Sequence, residues 1–412
     1  MFKLFKIAIR NLVRYKRRTF LTSSLIAIGV VFVLVFIAAS SSFKNIITSQ
    51  ITDSMLGHIQ VHKRGYIASV DSLPLTLNLN EKAWKKFQSV AKKIPQIESY
   101  SPRIKFGGMF SNFVENTNIR INGVYPDQEI KTIPLLLSRI KKGDKAIKKG
   151  EILIPELLAA GLKVKAGDLV VVIATNRDGS VNGKQFKVGG IIESVTGPGG
   201  RDGYIHIDDA MEILRMDKLE ISEVAIRIKD FSKLDEVNDQ IKENLKGFKN
   251  KQDKQVFDVR TWEKLSPFYN ISKMIDIMTM FIKFMLMAIV LVSIMNVMIM
   301  AVYERIREIG TIAAIGTMPE KILALFLIEG FSLGIAGVII GNILAGISIF
   351  IMNTIEITFN FSRQTGYILK PELKIGDIVF VSIIVIVISV LATLQPALKA
   401  AKMEPVEALR YV

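Results

Sequence analysis

Four long runs of apolar residues constrain the fold of this chain more than any other feature of its sequence. The runs at 19–42, 284–302 and 378–398 carry no charged side chain, and the run at 322–354 is interrupted by a single carboxylate, Glu329. An α-helix rises about 1.5 Å per residue, so each run can cross a hydrocarbon core of about 30 Å. The sequence therefore predicts an α-helical membrane protein with four transmembrane helices.

The basic N-terminus predicts the orientation of these helices. Seven basic residues precede the first run: Lys3, Lys6, Arg10, Arg14, Lys16, Arg17 and Arg18. Basic flanks stay on the cytoplasmic side, and four crossings return the chain there, so both termini are expected in the cytoplasm. A signal peptide is the alternative, but its apolar region spans only about 7–15 residues, which favours an uncleaved helix.

The segment before the first run has the pattern of a helix lying on a membrane surface. Phe2, Phe5, Ile9 and Leu12 share one helical face, and basic residues occupy the other face. Such a helix binds anionic lipid through both faces. The alternative is a basic tail that only sets the topology.

The long interval between the first two runs predicts a folded domain outside the membrane. Residues 43–272 are of domain size. The stretches at 58–62 and 168–174 are rich in β-branched residues, as strands are, and 176–184 has hairpin turn signals. Leu234, Val237, Ile241 and Leu245 recur at helical spacing, with Ser232 as the expected N-cap. A large α+β extracytoplasmic domain between helices 1 and 2 is therefore expected.

These patterns divide the whole chain. The expected parts are a cytoplasmic amphipathic helix at 1–18, transmembrane helices at 19–42, 273–302, 321–355 and 378–398, the extracytoplasmic domain at 43–272, a cytoplasmic helix at 303–320, an external loop at 356–377 and a cytoplasmic tail at 399–412.

Composition and motifs argue against catalysis by this chain. There are no cysteines, so disulfides and thiolate chemistry are excluded. His58, His62 and His206 lack zinc-ligand spacing, and neither a P-loop nor a nucleophile elbow is present. The net charge of +16 suits either nucleic acid or an anionic membrane surface, and the crowding of basic residues directly before the first apolar run favours the membrane. We therefore expect no catalytic residue, metal or cofactor bound by this chain, and no nucleic-acid partner.

The third run contains a carboxylate and a stripe of glycines. An ionisable residue within a membrane segment is a candidate proton or ion site, but Glu329 faces no second intramembrane acid, which favours a polar bond to a neighbouring helix. Gly330, Gly334, Gly337 and Gly341 form two GxxxG pairs. Small residues let helices approach closely, so these glycines predict tight packing within the chain or against a second chain.

The short turnaround between the second and third runs predicts an amphipathic helix. Ile306, Ile309, Ile312 and Ala313 recur at spacings of three and four, and Gly316 and Pro319 end the helix. Its apolar stripe suits either a groove on a partner protein or the lipid headgroups. The spacing alone does not choose between them.

Two segments resemble a known family. The stretch from Tyr303 to Gly341 and the closing segment from Leu394 to Val412, with its P-x-E-A-L-R pattern, look like the FtsX-like permease domain of ABC transporters. This family includes lipoprotein-releasing permeases and MacB-like exporters. Weaker likeness at 7–22, 150–173 and 259–268 extends the resemblance over most of the chain, and segments flanking helices 1 and 2 look more like the lipoprotein-release (LolC- and LolE-like) group.

The resemblance implies a transporter subunit of the bacterial inner membrane. A separate ABC ATPase dimer would bind ATP and Mg²⁺, a second permease chain would complete the transporter, and ATPase closure would drive the external domain by mechanotransmission. The helix at 303–320 would be the coupling helix that docks on the ATPase. The residues matching its motif are Glu304, Arg305, Arg307, Glu308, Ile309 and Gly310.

The substrate class stays open at this point. Lipoprotein release is favoured, with a soluble periplasmic carrier left open, and MacB-like export of peptide, drug or lipid is the alternative. A membrane-anchored ligand sensor without transport is the alternative from another class. If lipoproteins are the substrate, acyl chains are expected between helices 1 and 2, with candidate contacts at Phe36, Ile37, Phe43, Ile275, Met278 and Phe281.

Overall fold

The computed structural model describes residues 2–194, 201–361, 364–404, 406 and 408, and the chain divides into two compact units. Met1–Asn45 and Lys273–Val412 form one, here called the helical unit, and Ile46–Ser272 form the other, the sheet unit. In the closing segment, Pro405, Glu407, Leu409 and Arg410 lie outside the described residues.

The elements follow in chain order. They are α1 (Phe2–Arg14), α2 (Lys16–Ile51), β1 (Ile59–Lys63), α3 (Glu81–Ala91), β2 (Ile97–Ser111), β3 (Asn116–Val124), α4 (Pro126–Thr132), β4 (Ile140–Gly143), β5 (Glu151–Pro155), α5 (Glu156–Gly161), β6 (Leu169–Thr175), β7 (Val181–Ile192), β8 (Asp202–His206), α6 (Ile207–Ile213), β9 (Glu223–Ile228), α7 (Leu234–Lys246), β10 (Phe257–Thr261), α8 (Trp262–Leu265), α9 (Tyr269–Glu304), α10 (Ile306–Ala314), α11 (Pro319–Ile355), β11 (Thr358–Phe361), β12 (Gln364–Ile368) and α12 (Ile375–Ala401).

The helical unit contains the four helices expected from the apolar runs. Among the described residues, 4 helices are long and apolar enough to cross a membrane: α2 with the turn that follows it, α9, α11 and α12. Their inward-facing residues, such as Leu34, Ile294, Phe326 and Val385, form one apolar cluster. Leu12 of α1 joins this cluster, whereas Phe5 and Ile9 are exposed. The predicted four-span architecture is confirmed. One side of α1 packs against the other helices of this unit, and the opposite side is exposed.

The segment between α11 and α12 contains structure that the sequence patterns did not predict. Strands β11 and β12 pair as an antiparallel hairpin, with Thr358 opposite Ile368. The Phe43 ring lies 5.3 Å from the Phe359 ring, and the Ser42 hydroxyl accepts a hydrogen bond from the Lys370 amide at 3.1 Å. These two contacts hold the β11–β12 hairpin and the residues after it against α2.

The sheet unit is built on one mixed sheet. Its strand order is β10-β1-β9-β2-β3-β8-β5-β7-β4, with β6 bridging β2 and β7. Strand β1 pairs with β10, Ile59 opposite Thr261, so the start and the end of the unit are adjacent. Helices α4, α6 and α7 pack on strands β2, β3 and β10, respectively. The predicted α+β domain is confirmed.

One expected helix cap is wrong in detail. Ser232 does not cap α7, because a short 3-10 turn at Phe231–Lys233 precedes that helix. Asp230 caps this turn by accepting a hydrogen bond from the Ser232 amide at 3.0 Å. An aspartate two residues upstream therefore takes the role that the helical spacing assigned to the serine.

Candidate functional site

The turnaround helix α10 divides its side chains between the protein and the solvent. Arg305, Ile306, Ile309 and Gly310 are buried. The opposite side exposes a mixed surface, which we call the α10 outer face: Glu304, Arg307, Thr311, Ile312, Ile315 and Met318. Ile315 is 81% exposed, and the exposed side chains of Ile312 and Met318 on the same face make it one of several apolar groups, as at interaction sites.

A polar cluster lies beneath α10, and Glu329 is its centre. The carboxylate is fully buried, three turns into α11. It accepts a hydrogen bond from Asn11 Nδ2 of α1 at 2.9 Å and others from Arg305 Nη1 at 2.9 and 3.3 Å. Arg18 Nη2 of α2 lies 3.9 Å from its second oxygen.

A second carboxylate extends this cluster along α10. Glu308 accepts hydrogen bonds from Arg305 Nε at 3.1 Å and from the Tyr15 hydroxyl at 3.0 Å. The Tyr15 ring stands near both guanidinium groups, 5.2 Å from Arg18 and 5.5 Å from Arg305. We call Asn11, Tyr15, Arg18, Arg305, Glu308 and Glu329 the Glu329 cluster.

Opposite charges in the cluster stabilise one another, so its side chains can stay ionised although they are buried or partly buried. Two carboxylates face two guanidinium groups, so the charges balance. Burial alone would raise the pKa of Glu308, but the hydrogen bonds from Arg305 and Tyr15 outweigh it, and that pKa lies below its usual range. Glu329 therefore bonds to neighbouring helices, the arrangement that the sequence favoured over a proton relay.

The structure separates the residues expected to dock on a partner. Glu304 and Arg307 lie on the α10 outer face and Glu308 is partly buried, whereas Arg305, Ile309 and Gly310 point into the helical unit. Arg305 is thus not placed for direct docking, because its guanidinium group is already bonded to Glu329 and Glu308. Sequence reasoning missed Ile315 and Met318 on the outer face; both follow the helix, where its periodic pattern stops.

The glycine stripe of α11 packs against two helices of the same chain. A Cβ atom on Gly330 or Gly334 would lie 2.3 Å from Thr393 or 2.9 Å from Ser389 of α12. A Cβ atom on Gly337 or Gly341 would meet Ile26 or Val30 of α2 at 2.5 and 2.6 Å. Of the two possibilities left by the sequence, these contacts correspond to packing within the chain.

The six candidate acyl contacts occupy different environments. Ile37 is buried in the bundle core, whereas Met278 and Phe281 of α9 are exposed. Phe36, Phe43 and Ile275 are half-buried. Polar contacts close α2 onto α9 near these residues: Ser40 and Thr279 hydroxyls are 2.6 Å apart, and Lys44 Nζ binds Asp276 at 2.6 and 2.8 Å. A chain entering between α2 and α9 there would have to separate these contacts.

The sheet unit contains a row of buried charges across neighbouring strands. Arg103 of β2 bonds to Glu129 of α4 at 2.8 Å and to Glu223 of β9 at 2.8 Å. Burial would raise the pKa of Glu223, but Lys105 and Arg103 lower it to about 2. A cavity of about 200 Å³ over this row is lined by apolar side chains and by the polar side chains of Gln60, His62, Asp71, Lys105, Arg120, Asp202, Glu223, Lys264 and Ser266. Such a cavity can hold water or a small polar group.

The three histidines are held by protein groups. His58 Nδ1 accepts from the Ile228 amide at 3.2 Å, and its Nε2 lies 3.3 Å from Asp53. His62 Nε2 lies 3.0 Å from Gln60 Oε1, and His206 accepts from the Asp208 amide at the start of α6. Within the part of the chain that the structure describes, no group of three or more histidine or acidic side chains could hold a metal ion.

Comparison with known proteins covers both units. Two family models match the chain: MacB-like periplasmic core domain over residues 19–244 and FtsX-like permease C-terminal over residues 280–405. The lipoprotein-releasing system transmembrane protein LolC of Xylella fastidiosa is 25% identical over 406 residues, covering 94% of this chain and 92% of that protein.

Other relatives match parts of the chain. The macrolide export ATP-binding/permease protein MacB of Chlorobium luteolum is 40% identical over 119 residues, 29% of this chain and 16% of that protein. Among solved structures, the extracellular domain of the noncanonic ABC-type transporter YknZ from Gram-positive bacteria aligns with a TM-score of 0.35 and 13% identity, covering 49% of this chain and 99% of that domain.

Proposed function

This chain belongs to the family with the MacB-like periplasmic core domain and the FtsX-like permease C-terminal domain, and is thus a permease of the ABC transporter type; we propose that it releases lipoproteins from the inner membrane. ATP hydrolysis by a separate ATPase dimer, which holds ATP and Mg²⁺, drives this release. A second permease chain, the same or related, completes the transporter. One observation supports the substrate class: the likeness to a lipoprotein-releasing LolC extends over 94% of the chain and through both units.

The α10 outer face is the proposed docking surface for the ATPase. It combines charged side chains, Glu304 and Arg307, with the exposed apolar side chains of Ile312, Ile315 and Met318. A groove on the ATPase would cover the apolar side chains, and the charges would fix the register. In this arrangement α10 and both termini lie in the cytoplasm, and the sheet unit handles substrate on the other side of the membrane.

Export of a peptide, drug or lipid is the second candidate function. The observation that favours it is the match to a macrolide export MacB, which has the higher identity but is confined to 119 residues. Because these residues are 29% of this chain and 16% of that protein, the match supports a shared substrate less than the likeness to LolC does.

Purification from native membranes in mild detergent tests the proposal. We expect an ABC ATPase and an acylated lipoprotein to accompany the wild-type chain, identified by mass spectrometry. An ATPase without a lipoprotein would favour export, and absence of any ATPase would refute the docking role of α10.

A substitution on the outer face tests the docking surface itself. Arg307→Glu should remove the ATPase from the purified complex while the chain still inserts into the membrane, because this exposed side chain lies on the outer face. Lys370→Glu, an exposed change beyond the β11–β12 hairpin, is the matched control and should retain the ATPase. Full ATPase recovery with Arg307→Glu and with Ile315→Asp would contradict this surface.

A further inference from the structure

The Glu329 cluster joins the N-terminal segment to α10 and α11, which are far from it in the chain. The Asn11–Glu329 hydrogen bond connects residues 318 positions apart, and the Tyr15–Glu308 bond connects residues 293 positions apart. Arg305 bridges Glu308 and Glu329. Through these few bonds α1, α10 and α11 are held to one another at a single point.

Apart from the cluster, α10 is held by apolar contacts of buried side chains such as Ile306 and Ile309. It has 9 residues, and both of its ends are breaks in the helical backbone. Arg305 before it has φ −112° and ψ 15°, and Gly316 after it has φ +92°, a conformation that favours glycine. Hinges use loop or element-terminal residues of this kind, so a force on α10 can rotate it relative to α11 unless other bonds oppose the rotation.

The ion pairs of the cluster are suited to fixing the positions of the helices relative to one another, and not only to stabilising the fold. Buried ion pairs contribute little net stability compared with apolar side chains of similar size. They fix direction and register, however, because displacing either partner leaves a charge without its counter-charge in a dry environment. Apolar contacts permit sliding, whereas the Arg305–Glu329 pair resists it.

We infer that Glu329 and Arg305 are positioning residues that make α1, α10 and the start of α11 move as one body when the ATPase displaces α10. This inference rests on the proposed function. Under it, Arg305 and Arg307, two positions apart, have different tasks: Arg307 contacts the ATPase, and Arg305 transmits the resulting displacement. The N-terminal helix α1 then becomes part of the coupling element rather than a passive anchor on the membrane surface.

A distance measurement tests whether α1 and the start of α11 move together, as the inference requires. The chain has no cysteine, so Arg10→Cys on α1 and Lys321→Cys on α11, both exposed, can be spin-labelled selectively. In the full complex with its ATPase, the distance between the labels should be the same without nucleotide and with trapped ATP. Adding Glu329→Gln, which is nearly isosteric but uncharged, should make this distance change or broaden when ATP binds.

An activity measurement separates this inference from the proposed function. Glu329→Gln should retain the ATPase in the purified complex but lower the lipoprotein released per ATP hydrolysed by about 10-fold. Glu329→Asp, which keeps the charge, should restore much of this ratio, whereas Arg307→Glu should lose the ATPase itself. Tyr15→Phe, which removes the hydroxyl donor to Glu308, provides a milder second variant if Glu329→Gln fails to insert.

The outcomes are distinct. A wild-type chain that binds no ATPase would refute the proposed function. A wild-type label distance that changes with nucleotide would refute the positioning role of Glu329 and Arg305. Normal release per ATP in both Glu329→Gln and Tyr15→Phe would refute it too. Neither result would contradict the proposed function.

Discussion

Replacing His62 with glutamine should remove much of the acid sensitivity of the sheet unit. His62 is buried on β1, and its Nε2 lies 3.0 Å from Gln60 Oε1. Burial lowers the pKa of His62 from 6.5 to about 4; Glu223 opposes this shift and Lys105 adds to it. The folded unit therefore keeps a neutral imidazole at pH values at which an unfolded chain binds a proton.

The sign and size of the effect follow from proton linkage. Between pH 6.5 and about 4 the unfolded state binds more protons at this position, so stability falls as the pH is lowered through that window. The difference between the two pKa values corresponds to about 3 kcal/mol at pH 4, since one pKa unit is about 1.4 kcal/mol. For a domain of 150–250 residues, this lowers the melting temperature by about 6–12 °C.

Tryptophan fluorescence gives a selective assay in the full-length protein. The chain has 2 tryptophans, Trp84 and Trp262, and both lie in the sheet unit. Melting curves in detergent at about pH 7.5 and about pH 4 should show a larger loss of stability in the wild type than in His62→Gln, by about 3 kcal/mol. Glutamine can still donate a hydrogen bond to Gln60, so the variant should fold at neutral pH. Equal losses in the two proteins would refute the assignment of this acid sensitivity to His62.

Three further predictions address packing, buried charge and substrate. Gly330→Ala should destabilise the helical unit by about 1–3 kcal/mol, because the new Cβ atom would lie 2.3 Å from Thr393, whereas Gly346→Ala, with nothing within 4 Å, should not; detergent melting curves compare the two. Arg103→Met should destabilise the sheet unit by about 3–5 kcal/mol, since it leaves Glu129 and Glu223 without this cation, while Arg177→Met, in an exposed pair with Glu220, should leave the tryptophan-detected melting temperature nearly unchanged. Phe43→Ala should weaken photo-crosslinking of lipoprotein near α2 if acyl chains bind there, and the exposed Phe350→Ala on α11 serves as its control; unchanged crosslinking in Phe43→Ala would count against that contact.

Local patterns in the sequence were sufficient for the architecture of the chain. The four apolar runs predict four spanning helices, because a hydrocarbon solvent requires about 20 apolar residues per crossing whatever their neighbours are. The strand at 58–62, the hairpin turn at 176–184 and the helical spacing of Leu234 to Leu245 likewise depend on neighbouring residues alone. The motifs at 303–341 and 394–412 were specific enough to indicate the family that the comparisons confirm.

The arrangement of the candidate site depended on contacts between distant residues. Helical periodicity places Arg305 and Arg307 on different sides of a short helix, but it does not say which side meets the protein. Only the tertiary structure brings Asn11 to Glu329 and turns Arg305 inward, since these contacts join residues 318 and 24 positions apart. The pairing of β1 with β9 and β10 was hidden for the same reason.

The sequence by itself determined which segments cross the membrane, where a folded domain lies between them and which family the chain resembles, because each follows from local composition, periodicity or motif. The tertiary structure decided which charges are buried together and which face of α10 is left for a partner. That difference has a physical cause: the energy of a buried charge depends on the counter-charge that folding brings to it, not on its neighbours in the sequence.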